Sequence, residues 1–143
     1  MPKPDPALLD PARYSFHCEI QTRFGDLDTN LHLNNVALAA ILEDARVRFY
    51  AASGFNDASQ GMATMVVSLA IEFIGQAYYP APLDVHVAPL AFGRTSSSLC
   101  QLATQEGRTI AFAQTTFVAV RDDRPVEIPP AFVVSAQPFL LKP

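Results

Sequence analysis

Residues 23–35 read RFGDLDTNLHLNN and stand immediately before a long helical pattern. Apolar residues spaced by three and four predict a helix from about Asn34 to Ser53, ended by Gly54 in a left-handed conformation. The residues on its apolar face are Leu38, Ile41, Leu42, Ala45, Phe49 and Ala52. A helix starting here turns free backbone N–H groups and its positive dipole end toward the polar loop. The stretch therefore predicts either a site for developing negative charge or a very polar loop.

Alternating apolar and polar residues predict five strands around this helix. They cover residues 14–23, 65–73, 83–88, 97–104 and 109–120, with Pro89 ending the third and turns at 105–108 and 121–125. One long helix on a curved antiparallel sheet of about five strands is an α+β arrangement, in which the sheet wraps the helix. An open sheet has edges that need pairing, which predicts a homodimer.

Composition indicates one domain over residues 1–143, with residues 1–12 as a proline-rich, extended lead-in. No apolar run approaches the roughly 20 residues that span a bilayer, and the N-terminus lacks the apolar core of a signal peptide. We therefore expect a cytoplasmic protein without a membrane partner. A net charge of −4 argues against a nucleic-acid surface. Cys18 and Cys100 are expected to be reduced, buried thiols.

With this element order, the chain resembles hotdog-fold thioesterases of the 4-hydroxybenzoyl-CoA thioesterase superfamily over roughly residues 14–130. The resemblance is strongest in residues 26–35 and 43–46, and segments 93–97 and 124–129 support it. The spacing of Asp28, Asn30 and His32 also resembles plant acyl-acyl-carrier-protein thioesterases. The resemblance implies that Asp28 is the catalytic carboxylate and that Asp26 is structural. Gln76 stands near the place where some of these enzymes carry a further acidic or cysteine residue.

The same residues suit thioester hydrolysis on chemical grounds. Asp28 can attack the carbonyl carbon or activate water, Asn30 can orient the water or Asp28, and His32 can hydrogen bond within the network. Backbone N–H groups at Asn35 and Val36 can stabilise the oxyanion. Each residue also has a plain interpretation as a turn or cap residue, which is favoured for Asp26 and Asn34.

Substrate-binding residues are expected further along the chain. Coenzyme A is polyanionic, so guanidinium groups are candidates to meet its phosphates, and serines can donate to the pantetheine. The candidates are Arg94, Arg108 and Arg46 for phosphate, Ser96 and Ser97 for pantetheine, and Phe49, Tyr50, Phe55 and Met62 for the acyl group. Each group also has an alternative role. The arginines can form surface ion pairs, the serines can begin a strand, and the apolar side chains can pack in the core.

No cofactor is expected, because coenzyme A is part of the substrate. No metal site is expected either, since Asp26, Asp28 and His32 share neighbouring turn positions and no other ligand cluster is visible.

The leading function is therefore an acyl-CoA or acyl-carrier-protein thioesterase. One alternative is a non-catalytic acyl-thioester binding protein of the same fold. A hotdog 3-hydroxyacyl dehydratase is disfavoured, because its Phe-Pro-Gly-x-Pro segment is missing. The sequence leaves open the acyl group, the carrier, and whether the homo-oligomer is a dimer or a tetramer.

Overall fold

The structure is a computed structural model that describes residues 3–143. Over these residues the regular elements are β1 (Phe16–Ile20), α1 (Asn35–Ala52), α2 (Phe55–Ala58), β2 (Ala63–Phe73), β3 (Leu83–Phe92), β4 (Ser96–Gln105), β5 (Arg108–Arg121), β6 (Arg124–Pro125) and α3 (Pro130–Ala136). Short 3-10 helices lie at Pro6–Leu9, Pro11–Arg13, Phe24–Asp26 and Gln137–Phe139. No helix among the described residues is long and apolar enough to cross a membrane.

The strands form one antiparallel sheet in the order β1-β3-β4-β5-β2, and β6 pairs with the end of β5. Helix α1 connects β1 at one edge of the sheet to β2 at the other edge. This confirms the predicted α+β class, with one long helix on a curved antiparallel sheet. The predicted helix boundaries agree within a residue, and Gly54 has a φ of 76° just after α1.

The main core lies between α1 and the facing side of the sheet. The predicted apolar face of α1 is buried except at Ala52, which is exposed. Strand β3 contributes Leu83, Val85 and Val87, all fully buried, each worth about 1.5–3 kcal/mol relative to exposure. Arg46 is buried on the same helix face, where its Nη1 donates to Gln101 Oε1 at 3.1 Å.

A second apolar cluster covers the opposite face of the sheet. Tyr14 and Cys100 lie at its centre, and Leu8, Leu9 and Leu141 pack on them. The residues before β1 are held there because Arg13 Nε donates to Lys142 O at 2.7 Å. The expectation of an extended lead-in is therefore wrong for residues 6–12, where aspartates cap two short helices that begin with proline. Residues 1 and 2 lie outside the described part.

Three further differences from the predicted elements have local causes. Strand β3 continues past Pro89 to Phe92, because a register shift between Pro89 and Ala91 accommodates the proline. Helix α3 was not predicted, and it buries Phe132 in the main core. Cys18 is half-buried rather than buried, because it lies on the edge strand β1.

Strand β2 is an edge strand with unusually exposed apolar side chains. Its eleven residues are exposed or half-buried throughout. Exposed fractions of 41–55% are found at Met65, Val66, Val67, Leu69 and Phe73. Alternate side chains point to opposite faces of a strand, so both faces of β2 present apolar surface.

Candidate active site

The polar stretch forms a closed loop between β1 and α1. Leu27 and Leu33 form an isolated antiparallel bridge at its base. Inside it, Asp28 N donates to His32 O at 2.9 Å, and Leu31 N donates to Asp28 O at 3.0 Å. Leu31 takes a φ of 61°, which lets the chain turn back within a few residues. The backbone, and not side-chain packing, therefore defines the position of Asp28.

The carboxylate of Asp28 is oriented by two backbone amides. Its Oδ1 accepts from Asn30 N at 2.8 Å and from His32 N at 3.2 Å, as in an Asx turn. Among the described residues, Oδ2 has no hydrogen-bond partner. One oxygen is thus fixed while the other is available to a substrate or to water.

The loop is attached to its surroundings through Asp26 and Leu33. Asp26 O accepts from Asn34 N, and Leu33 N donates to Ala77 O, both at 2.8 Å. The buried Asp26 carboxylate accepts from Arg23 Nη2 at 2.9 Å and from Arg23 N at 3.0 Å. Burial alone would raise the pKa of Asp26, but the hydrogen bonds from Arg23 hold it below its usual range. These contacts support the structural role predicted for Asp26.

Asp28 opens onto a cleft of about 340 Å³ between the loop, the start of α1 and the end of β2. Its other lining residues are Leu33, Asn35, Leu38, Phe73, Ile74, Gly75, Gln76, Ala77 and Ile110. Gln76 therefore shares the cleft with Asp28. Gly75 allows the cleft wall to pack closely on β5, because a Cβ there would lie 2.6 Å from Thr109 O.

The start of α1 contributes one free backbone donor to this cleft. Asn34 caps the helix, and its Oδ1 accepts from Val36 N at 2.7 Å. The expectation that Val36 N–H serves an oxyanion is therefore wrong for this structure, since the cap already occupies that donor. Asn35 lines the cleft, and its N–H has no acceptor in the part of the chain that the structure describes.

The side chains of Asn30 and His32 do not join Asp28. Among the described residues neither side chain makes a hydrogen bond to the carboxylate, and Asn30 is exposed. The His32 ring packs edge-on against Tyr78, with 5.2 Å between ring centroids. Arg108 lies over the same Tyr78 ring and donates to Gln76 O at 3.0 Å. Arg108 is thus at the rim of the cleft.

The other predicted substrate-binding residues lie elsewhere. Arg46 is buried against Gln101 and is closed to a phosphate, while Met62 is part of the main core. Phe49 and Ser97 line a separate internal gap of about 10 Å³, too small for an acyl chain.

Arg94 and Ser96 lie near the turn between β3 and β4. Arg94 is exposed and pairs with Glu127 at 3.4 Å, and Ser96 begins β4. Neither residue lines the Asp28 cleft of this single chain.

Sequence reasoning missed most of the cleft wall. Ile74, Gly75 and Ala77 lie in the segment that follows β2, and Ile110 comes from β5. These residues meet the loop only through the pairing of β2 with β5, which local pattern does not specify. A glycine directly after a strand pattern was the one available signal of a close backbone approach.

Solved structures with the same fold include several thioesterases. A protein from Pseudomonas aeruginosa is 24% identical, with a TM-score of 0.81 over 92% of this chain and 96% of that one. A thioesterase from Thermus thermophilus complexed with coenzyme A and Zn is 22% identical, with a TM-score of 0.80 over 88% and 94%. A mutant 4-hydroxybenzoyl-CoA thioesterase complexed with 4-hydroxybenzoyl-CoA is 16% identical, with a TM-score of 0.77 over 85% and 98%. At these identities the likeness establishes the fold.

Family membership rests on the sequence. No protein of curated function matches the chain in sequence. The sequence profile of the thioesterase-like superfamily matches residues 22–135, which include the Asp28 loop, α1 and the four long strands β2 to β5. This chain is therefore a hotdog-fold member of the thioesterase-like superfamily.

Proposed function

We propose that this protein hydrolyses acyl-CoA or acyl-carrier-protein thioesters, with Asp28 as the catalytic carboxylate. The observation that carries the proposal is the Asp28 carboxylate itself. Its Oδ1 is fixed by two backbone N–H groups, Oδ2 has no hydrogen-bond partner among residues 3–143, and Asp28 lines the cleft at the start of α1. Membership of the thioesterase-like superfamily supports the class of reaction.

Two routes are consistent with this arrangement. As a general base, Asp28 takes a proton from water while the water oxygen bonds to the thioester carbon; the C–S bond then breaks and the sulfur takes the proton. As a nucleophile, Asp28 bonds to the carbonyl carbon and the C–S bond breaks to release the thiolate; water then hydrolyses the anhydride, which restores Asp28, and the proton released protonates the thiolate. In both routes negative charge develops on the carbonyl oxygen.

Asn35 N–H and the positive end of the α1 dipole are the oxyanion stabilisers in this proposal. Removing one such donor typically costs about 3–4 kcal/mol of transition-state stabilisation. Gln76 shares the cleft and carries an amide, which can orient a water molecule but cannot take its proton at neutral pH.

A polyanionic carrier is supported by the position of Arg108. Its side chain is exposed at the cleft rim, where it contacts Tyr78 and the backbone of Gln76. A guanidinium there suits the phosphates of coenzyme A or of a phosphopantetheine arm. Two neighbours of the same fold were solved with coenzyme A or a CoA thioester.

We also propose that two copies pair through β2. The strand has one free edge, and its exposed apolar side chains continue at Ile74 beside the cleft. Pairing with a second copy satisfies the free backbone groups of this edge and covers the apolar surface.

The test is release of free thiol from a panel of acyl-CoA thioesters, from acetyl to palmitoyl and benzoyl. Asp28→Asn keeps the shape of the side chain but removes the base and nucleophile. We expect its kcat to fall at least about a hundredfold. Asp57→Asn, an exposed aspartate in α2, is the matched control and keeps wild-type turnover.

Equal turnover by wild type and Asp28→Asn would refute the role of Asp28. Wild-type protein that binds these thioesters without hydrolysing any of them, nor acyl-carrier-protein thioesters, would instead be a binding protein.

A further inference from the structure

Three potential metal ligands meet on the face of the sheet that points away from α1. His17 on β1 lies directly opposite His86 on β3, and Asp84 is two residues before His86 on the same face. His17 and Asp84 are 67 positions apart in the chain, so only the pairing of β1 with β3 brings them together. None of the three lines the Asp28 cleft.

The ligand atoms of this His17–Asp84–His86 cluster are close enough to share one ion. The two carboxylate oxygens of Asp84 each lie near one imidazole. Asp84 Oδ1 is 2.9 Å from His17 Nδ1, and Asp84 Oδ2 is 3.6 Å from His86 Nε2. One ligand atom from each of the three residues lies within 4.8 Å of the others. The two imidazole rings are stacked, with centroids 5.3 Å apart and planes inclined by 24°.

The hydrogen bond of His86 determines which nitrogen is free. His86 Nδ1 lies 3.2 Å from Leu102 O, and because a carbonyl oxygen only accepts, Nδ1 carries the hydrogen. In the neutral ring Nε2 then holds a lone pair and faces Asp84 Oδ2, which is also an acceptor. In that form both atoms offer lone pairs to a metal ion. The His86 side chain is only 8% exposed, so its ring is held in place by the surrounding residues.

We propose that His17, Asp84 and His86 bind one divalent transition-metal ion of the zinc type. Two imidazole nitrogens and a carboxylate oxygen are a ligand set that suits Zn²⁺, and the remaining position is left for water. In this structure His17 Nδ1 donates to Asp84 Oδ1 at 2.9 Å. When the ion binds, the ring takes the other tautomer, with its hydrogen on Nε2, and Nδ1 coordinates. The hydrogen bond from His86 to Leu102 O fixes the His86 ring, as outer-shell partners do in zinc sites.

The charges around the cluster favour a cation. Glu19 and Glu106 line the same surface cleft as Asp84 and His86, and no lysine or arginine of the described chain does so. The His17 side chain is 60% exposed, so an ion can reach the cluster from solvent.

Zinc binding to tag-free, EDTA-treated full-length protein tests the proposal by isothermal titration and by metal content after dialysis. We expect one Zn²⁺ per chain, and an affinity at least about tenfold lower in His17→Ala and in Asp84→Asn. Both altered side chains are partly exposed, so these variants are expected to fold. His32→Ala removes the third histidine of the chain and serves as the matched control, with zinc affinity unchanged.

The visible absorption of bound cobalt(II) is a second readout, because a change in folding does not produce this spectrum. Bound at this site, Co²⁺ is expected to show visible absorption of low-symmetry coordination in wild type and His32→Ala, and to lose it in His17→Ala. The proposal is overturned if wild type takes up no zinc, or if His17→Ala and Asp84→Asn bind it as tightly as wild type.

Discussion

Asp28 owes its orientation to the backbone N–H groups of Asn30 and His32, and not to the side chains of those residues. A carboxylate held in this way keeps its direction whatever residue types follow it, provided that the loop closes. The side chain of Asn30 is exposed, and that of His32 packs on Tyr78. The structure therefore joins Asp28 to the backbone of Asn30 and His32 but separates it from their side chains.

Asn30→Ala tests this separation. The substitution keeps the backbone donor to Asp28 and removes only the exposed amide, so we expect kcat to change by less than about threefold. Thiol release measured beside wild type and Asp28→Asn gives the comparison. A loss approaching that of Asp28→Asn would mean that the Asn30 side chain reaches the reacting groups once substrate is bound.

Asp26→Asn tests the structural carboxylate below the loop. The charged hydrogen bonds to Arg23 are lost, and we expect the free energy of unfolding to fall by about 1–2 kcal/mol at pH 7. Because the pKa of Asp26 is lower in the folded protein, its stabilisation is present above the unfolded pKa near 4 and is lost as pH falls through the folded value. Urea unfolding at pH 7 and at pH 3 measures the difference, and the gap between the two proteins should narrow at pH 3. A gap that is independent of pH would contradict the ionic explanation.

At the residue scale, the sequence predicted interactions between residues that are close together in the chain. The Asx turn of Asp28 and the Asn34 cap use residues a few positions apart, so their types are informative on their own. The cleft walls and the His17–Asp84–His86 cluster are formed by strands that are far apart in the chain. No local sequence pattern predicts how those strands pair. The burial of Arg46 was also unpredictable, because its partner Gln101 lies on β4.

At the element scale, the site depends on how β2 ends against β5. Ile74 N and Gly75 N both donate to Ile110 O, which closes the strand pair beside the cleft. The segment that follows is held by Gln105, whose Nε2 donates to Tyr78 O at 2.7 Å and to Ala81 O at 2.9 Å. The Asp28 loop then bonds to this segment at Ala77 O. A displacement of residues 74–78 would therefore move the wall that faces Asp28.

Gly75→Ala tests this dependence. A Cβ would lie 2.6 Å from Thr109 O, and a backbone atom cannot move aside as a side chain can. We expect a loss of about 1–3 kcal/mol in stability and a lower kcat/KM on any accepted thioester. Gly25→Ala is the matched control, since nothing lies within 4 Å of a Cβ there. Equal stability and activity of the two variants would show that the contact with Thr109 relaxes without cost.

The same holds for helices and strands: those with a clear pattern in their own sequence were predicted, and the others were not. Helix α1 buries one face, so its periodicity identifies it. Strands β3 to β5 are largely buried, and their apolar residues between turn residues identify them. Helix α3 is only seven residues long and begins at the second of two prolines, which leaves no period to detect. The bulge at Pro89 depends on β4 opposite, so the sequence of β3 alone indicated a strand end.

At the scale of the whole molecule, other residues cover the sheet unevenly, and its edge strand β2 is left exposed. The face away from α1 is covered by residues from both ends of the described chain, which bond to each other through Arg13 and Lys142. Strand β2 has no such cover, although its eleven residues include five large hydrophobic side chains that are at least 41% exposed. Isolated apolar residues are ordinary on a surface, but a contiguous apolar edge strand favours association.

The double substitution Val67→Lys and Leu69→Lys tests pairing through β2. Both side chains are largely exposed in one chain, at 55% and 41%, so the variant is expected to fold. Charged residues on a strand edge oppose pairing with a second strand, because like charges from two copies would meet there. Sedimentation velocity should give a dimer or tetramer for wild type and a 15.6 kDa monomer for the variant. Glu19→Lys makes the same change of two charge units at an exposed position of β1, the opposite edge of the sheet, and should leave the assembly intact. A wild-type protein that sediments as a monomer would contradict the role proposed for this edge.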